Sequence, residues 1–153
     1  MTKLSIGIDP GKSGGISWIL GDDRSTATAA KMPPTDVELL ELFYKLAEIG
    51  NPATAIIERV FSSPQMGVKS AFNFGASKGR LMMALAAAAI SYDEVSPQKW
   101  QRELGCLSKG DKNVTKAKAE QLFPHVSFDG SLTRITHAVA DSLLLAEYCR
   151  RLP

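Results

Sequence analysis

Apolar residues in this chain fall first into short runs and then into helical spacing. Leu4-Ser5-Ile6-Gly7-Ile8 is a compact apolar run closed by Asp9. Its length and its β-branched residues predict a buried strand. A glycine-rich turn leads to a second run, Ile16-Ser17-Trp18-Ile19-Leu20, and a third short strand is expected over residues 27–31. Pro33-Pro34 then breaks the chain, and Thr35-Asp36-Val37-Glu38 has the form of a helix capping box. Val37, Leu39, Leu40, Leu42, Phe43, Leu46 and Ile49 recur at helical period until Gly50-Asn51-Pro52 stops them. A fourth strand, Ala53-Thr54-Ala55-Ile56-Ile57, again closes on an acid, Glu58.

The second half alternates helix and strand. A helix is expected over about 70–89, a strand over 92–95 and a short helix over 97–104. A flexible stretch over 105–112 should follow, then helices over 113–122 and about 133–151. The pattern of strands, then helix, strand, helix, strand and further helices, implies one α/β domain, residues 1–153, with a mixed five-stranded sheet flanked by helices. The helix through Gly75, Gly79, Leu81, Met82, Met83 and Leu85 to Ala89 is apolar nearly all round, which predicts burial, against the sheet alone or against the sheet and a partner.

Composition adds three constraints. The chain's 153 residues suit a single core. The longest apolar run, Leu81 to Ile90, is too short to span a bilayer. Cys106 and Cys149 lack metal-site spacing and suggest free thiols in a reducing compartment, so a cytoplasmic location is expected. Net charge is only +2, yet residues 1–58 hold 5 basic and 8 acidic groups, and residues 59–153 hold 13 and 8. That asymmetry suits either a basic face for a polyanion or ordinary solvated surfaces.

Gly11-Lys12-Ser13 tempts one toward a phosphate-binding loop. That motif needs four residues before its Gly-Lys pair and must open a helix. Here three residues separate Gly7 from Gly11, and a strand follows. The carboxylates are more telling. Asp9 and Glu58 each end a buried-type strand, where ligands of α/β sheets gather. Asp141 lies within the apolar helix Ala138-Val139-Ala140-Asp141-Ser142-Leu143-Leu144, and His137 stands four residues earlier on its face. Clustered carboxylates repel, and a hard divalent cation relieves them. Each also has a plain reading: Asp9 as a turn former, Glu58 as a partner for Arg59 or a lysine, Asp141 as a solvated acid, and His137 as a capping or packing residue.

The motifs Ile-Gly-Ile-Asp-Pro-Gly, Ile-Ile-Glu-Arg-Val and Ala-Asp-Ser-Leu-Leu-Leu-Ala resemble those of RuvC-type Holliday junction resolvases. Phe61 to Gly79, Val95-Ser-Pro-Gln-Lys-Trp100 and Ala119-Glu-Gln-Leu-Phe-Pro124 resemble the phage-type branch. The resemblance implies a ribonuclease H-like fold, a homodimer, and metal-dependent nicking of two opposed strands of a four-way DNA junction. It matches Asp9, Glu58 and Asp141 to the family's acids, with His137 as a further ligand or proton carrier. Mg²⁺ or Mn²⁺, two ions per site, is the implied cofactor. Phe61 is expected to stack on junction bases or to be buried. Lys69, Lys78, Arg80, Lys109, Lys112, Lys116 and Lys118 are candidates to contact phosphates of the branched DNA. One of Lys109, Lys112 or Lys116 is a candidate to stabilise charge in the transition state. Rival readings are the same chemistry on flaps, forks or hybrids, an actin-like nucleotide-binding lobe, and a junction binder without catalysis.

Overall fold

The computed structural model describes residues 2–60, 63–126 and 136–153, apart from the side chain at position 138. Five strands form one mixed sheet in the order β3-β2-β1-β4-β5. They are β1 (Leu4–Asp9), β2 (Gly15–Leu20), β3 (Thr28–Lys31), β4 (Ala53–Glu58) and β5 (Ser91–Val95). The first three are antiparallel neighbours, whereas β1, β4 and β5 run parallel. The chain after β1 turns straight back into β2 without opening a helix, which removes the phosphate-loop reading.

Strand side chains alternate between faces, and that alternation divides the core. Leu4, Ile6, Ile8, Ile16, Ala55 and Ile57 pack on one face with α1 (Asp36–Ile49) and α2 (Val68–Ala87). The other face carries Ile19, Ile56 and Val95, under α3 (Pro97–Glu103), α4 (Lys112–Leu122) and α5 (His137–Arg151). The capping box expected at Thr35 forms, and α3 has a cap of its own. Thr35 accepts from the Glu38 amide and donates to the Glu38 carboxylate at 2.8 Å, and Ser96 caps α3 ahead of Pro97.

Helix α5 is the central buttress. Its residues 139–149 are buried apart from Asp141, which is half-buried, as expected of a helix with protein on most sides. It lies almost on the backbone of β1. A Cβ built on Gly7 falls 2.2 Å from both the Ala146 nitrogen and the Ser142 oxygen, far inside contact distance. Beside it, the Ser17 and Ser142 hydroxyls share a buried 2.6 Å hydrogen bond. At the far end, Lys3 Nζ donates to the carbonyls of Cys149 and Leu152, tying the start of β1 to the end of α5.

The same end holds an ionic cluster. Glu147 is fully buried, and its carboxylate accepts from Arg24 and Arg150 at 2.7 Å and from Arg151 at 2.9 Å. Burial alone raises such an acid, but hydrogen bonds from Arg150, Arg24 and Arg151 outweigh it and bring Glu147 down to about 2.

Several boundaries differ from the sequence reading. A 3-10 turn, Arg24–Thr26, delays β3 to Thr28, because the Asp23 side chain captures the Ser25 amide. Asp111 caps α4, which places Lys112 in the helix instead of the loop. Thr136 caps α5 through the Val139 amide, so the described helix starts at His137. Of the two ways of burying α2, enclosure within one chain is not found. Leu81, Ala84 and Leu85 are buried, but Val68, Phe72 and Met83 are 89%, 75% and 67% exposed. One face of α2 covers the sheet and the other has no element over it among the described residues. Among those residues, too, no helix is long and apolar enough to cross a membrane.

Two outcomes are expected. Gly7→Ala forces α5 off the sheet and costs roughly 2–4 kcal/mol in urea unfolding; an unchanged midpoint would contradict the close packing. Glu147→Gln removes the buried carboxylate that Arg24, Arg150 and Arg151 share from the part-exposed side and costs about 1–3 kcal/mol. Because the folded Glu147 binds its proton more weakly than the unfolded one, its stabilisation is present above about pH 4.5 and lost as pH falls toward about 2. Urea melts across that range should show this loss in the wild-type protein and a shallower one in the variant.

Candidate active site

Two elements of strand geometry bring the first acids together. β1 and β4 are adjacent and parallel, with Ile8 opposite Ile57, so Asp9 and Glu58 end neighbouring strands at the same edge. Both have the strand parity of Gly7 and Ile56, which places them on the face covered by α5. The absence of a side chain at Gly7 lets α5 descend onto that face, and its first turns bring Asp141 to the same end of the sheet. Ile56 and Ile57 hold β4, and Ile8 anchors β1, so the acids are fixed by buried strands.

All three carboxyls are raised, first of all by burial. Burial, reinforced by the charges of Glu58 and Asp141, pushes Asp9 up to about 8, against a downward pull from Lys112. Burial also raises Glu58, partly offset by a hydrogen bond from Trp100 and supported by the charge of Asp141. Asp141 is raised by burial, while the Thr115 hydroxyl, Lys112 and His137 draw it back. Its Oδ1 is buried with no hydrogen-bond partner among the described residues. Three half-buried acids, all held above their ordinary range, with an orphaned oxygen, form a site short of positive charge.

This donor set suits a hard divalent cation. Asp9, Glu58 and Asp141 are the groups able to hold one. His137, exposed at the first turn of α5, is near enough for its charge to act on Asp141. Among the described residues no three His, Cys, Asp or Glu side chains close around a single point. Gripping one ion therefore requires the carboxylates to draw further inward.

Plain pairings expected for these residues are partly found elsewhere. Arg59 leaves Glu58 and pairs with Glu94 at 3.4 Å. Glu58 Oε2 instead accepts from Trp100 Nε1 at 2.8 Å. The cations named from the sequence divide between two helices. Lys69, Lys78 and Arg80 lie on α2, where Lys78 pairs with Glu94 at 2.9 Å and Arg80 with Asp36 at 3.3 Å. Lys112, Lys116 and Lys118 lie on α4, and Lys109 precedes them at a positive φ of 50°. Of these, Lys112 is the cation whose charge reaches both Asp9 and Asp141. Phe61 lies outside the described residues.

Sequence reasoning missed three residues. Trp100 gives a hydrogen bond to Glu58, and the Thr115 hydroxyl, which donates to the Lys112 carbonyl at 3.2 Å, is close enough to Asp141 to lower it. Lys12, three positions beyond Asp9, lines two adjoining grooves between the acid-bearing turn and α2. The larger has a volume of about 1030 Å³ and runs past Met32, Pro34, Leu40 and Arg80. The smaller, about 330 Å³, runs past Pro10, Met66, Asn73 and Lys78. Trp100 had a signal in its Ser-Pro-Gln-Lys-Trp segment; Thr115 had none.

No protein-family model matches the sequence, and no curated protein matches it. Solved structures do match. The Thermus thermophilus RuvC structure aligns with a TM-score of 0.63 at 17% identity, covering 97% of this chain and 92% of that one. T. thermophilus RuvC in complex with a Holliday junction substrate gives 0.64 at 16% identity, covering 95% and 91%. The yeast mitochondrial Holliday junction resolvase Ydc2 gives 0.52 at 13%, covering 95% and 78%. At these identities the likeness is one of fold. With its β3-β2-β1-β4-β5 sheet between two helical layers, this chain has the ribonuclease H-like fold of the RuvC Holliday junction resolvases.

Proposed function

We propose that this protein is a divalent-metal-dependent, structure-selective DNA endonuclease that resolves four-way junctions by paired nicks, as a phage-type member of the RuvC resolvases. The observation that carries this reading is the gathering of Asp9, Glu58 and Asp141 at one end of a RuvC-type sheet, each carboxyl raised by burial. A neighbour of the same fold is seen in complex with a Holliday junction substrate, which supports branched DNA as the ligand.

Asp9, Glu58 and Asp141 hold Mg²⁺ or Mn²⁺. When bound, the ions supply Lewis-acid stabilisation of charge on the scissile phosphodiester. His137, one turn before Asp141, takes or delivers a proton at an imidazole nitrogen. Lys112 brings fixed positive charge beside the acids, where negative charge builds on the phosphate during displacement. Lys12, Lys69, Lys78, Arg80, Lys109, Lys116 and Lys118 neutralise backbone phosphates and set the strand's position without reading its sequence. Phe61 is proposed to stack on a junction base. Burying the exposed α2 face of Val68, Phe72 and Met83 between two copies gives a two-fold dimer, and two opposed nicks need two such related sites.

Asp9→Asn tests the mechanism. On a labelled four-way junction with Mg²⁺ or Mn²⁺, cleavage should fall by at least about 10³-fold while junction binding persists. Cleavage at the wild-type rate would refute the mechanism. In EDTA at pH 8 the same substitution should raise the melting temperature by roughly 2–4 °C, because it removes one of three mutually repelling acids. Junction affinity should drop by roughly tenfold or more between 50 and 200 mM salt if several lysines contact phosphates. Junctions, flaps and RNA–DNA hybrids compared side by side test the substrate, and a preference for hybrids would overturn the assignment.

A further inference from the structure

The segment Val95-Ser96-Pro97-Gln98-Lys99-Trp100 joins β5 to α3 at the level of the acids. Val95 lies opposite Glu58 in the parallel β4–β5 ladder, and its carbonyl accepts from the Arg59 amide at 2.7 Å. Ser96 then caps α3 and Pro97 opens it, which fixes the direction in which the helix leaves the sheet. One turn later comes Trp100, the largest fully buried side chain described. An indole nitrogen can only donate, and a buried one needs an acceptor. Trp100 finds it in Glu58 Oε2, at 2.8 Å.

This contact is more than satisfaction of a core residue. A glutamate has three side-chain torsions, and an unanchored Glu58 would lose that freedom on taking up an ion. Trp100 is held by core packing with Val95, Leu104, Ala119 and Phe123, so its N–H is a fixed point. We propose that Trp100 is a positioning residue for Glu58, holding Oε2 so that Oε1 is presented to a divalent ion. The inference rests on the metal-dependent reading above. It adds a donor on α3 that aligns the acid, as partners behind metal-binding side chains commonly do.

The two tryptophans make the test internal. Trp18 sits on β2 and packs with the α1–α2 side of the sheet, away from the acids. In ¹⁵N-labelled protein the two indole N–H resonances are assigned with Trp18→Phe. Titration with Mg²⁺ alone should move the Trp100 resonance along a saturable curve and leave Trp18 in place. Replacing Trp100 by 3-benzothienylalanine, which keeps the ring volume but puts sulfur in place of N–H, should raise the half-saturating Mg²⁺ concentration about tenfold by calorimetry. Trp100→Phe should do the same if it folds, and cleavage should recover at high Mg²⁺. A wild-type protein that binds Mg²⁺ and cuts junctions while the Trp100 resonance stays fixed overturns the positioning role and leaves the nuclease reading intact. Unchanged Mg²⁺ affinity in the benzothienyl protein does likewise. A wild-type protein that takes up no Mg²⁺ overturns both.

Discussion

A helix can approach a strand only as closely as the strand's side chains permit, and at Gly7 there is no side chain. The Ser142 carbonyl and the Ala146 amide occupy the place a Cβ would take. Much of the structure depends on that approach. It fixes the height of α5 over the sheet, allows Ser142 to reach Ser17, and sets Asp141 beside strands whose ends carry Asp9 and Glu58. Glycine weakens a strand by about 0.5–1 kcal/mol relative to alanine. Here that cost is offset by the burial of α5 residues 139–149.

The same helix buries two carboxylates in opposite ways. Glu147 meets Arg24, Arg150 and Arg151 and is held as a strong acid, down to about 2. Asp141, less than two turns earlier, is pushed upward by burial, which Lys112 and His137 only partly offset, and has one oxygen unpaired. One charge is neutralised inside the chain and serves the fold. The other keeps one buried oxygen without a hydrogen-bond partner among the described residues. Active sites characteristically carry such unresolved electrostatics, supported by rigid structure around them. The arginine cluster and the Lys3 contact supply that support at the other end of α5.

The sheet was readable because each strand announces itself. Short β-branched runs closed by Asp9 and Glu58 fix both strand and edge, and period-two alternation puts the two acids on one face. The capping box at Thr35 is local and was equally legible. What was not legible depends on residues distant in sequence. Lys78 and Arg80 lie in a stretch without acids, yet Glu94 and Asp36 reach them across the fold. Helix α2 is apolar nearly all round, and composition alone could not say that one face lacks cover within the monomer. The closeness of Trp100 to Glu58 and of Thr115 to Asp141 was not legible, because each pair is brought together only by the packing of separate elements. Gly7 read as a strand residue, since the helix that covers it comes some 135 positions later.

The contact of Lys3 with the last carbonyls of α5 has a geometric consequence. Strand β1 runs from that contact toward Asp9, and α5 runs back from Asp141 toward it. Both described ends of the chain therefore meet at one pole of the molecule, with the acids at the other. A strand of six residues separates the poles by about 20 Å. The two ends are therefore close enough to be joined by a short linker, and a circular permutation there would leave the edge that carries Asp9, Glu58 and Asp141 untouched.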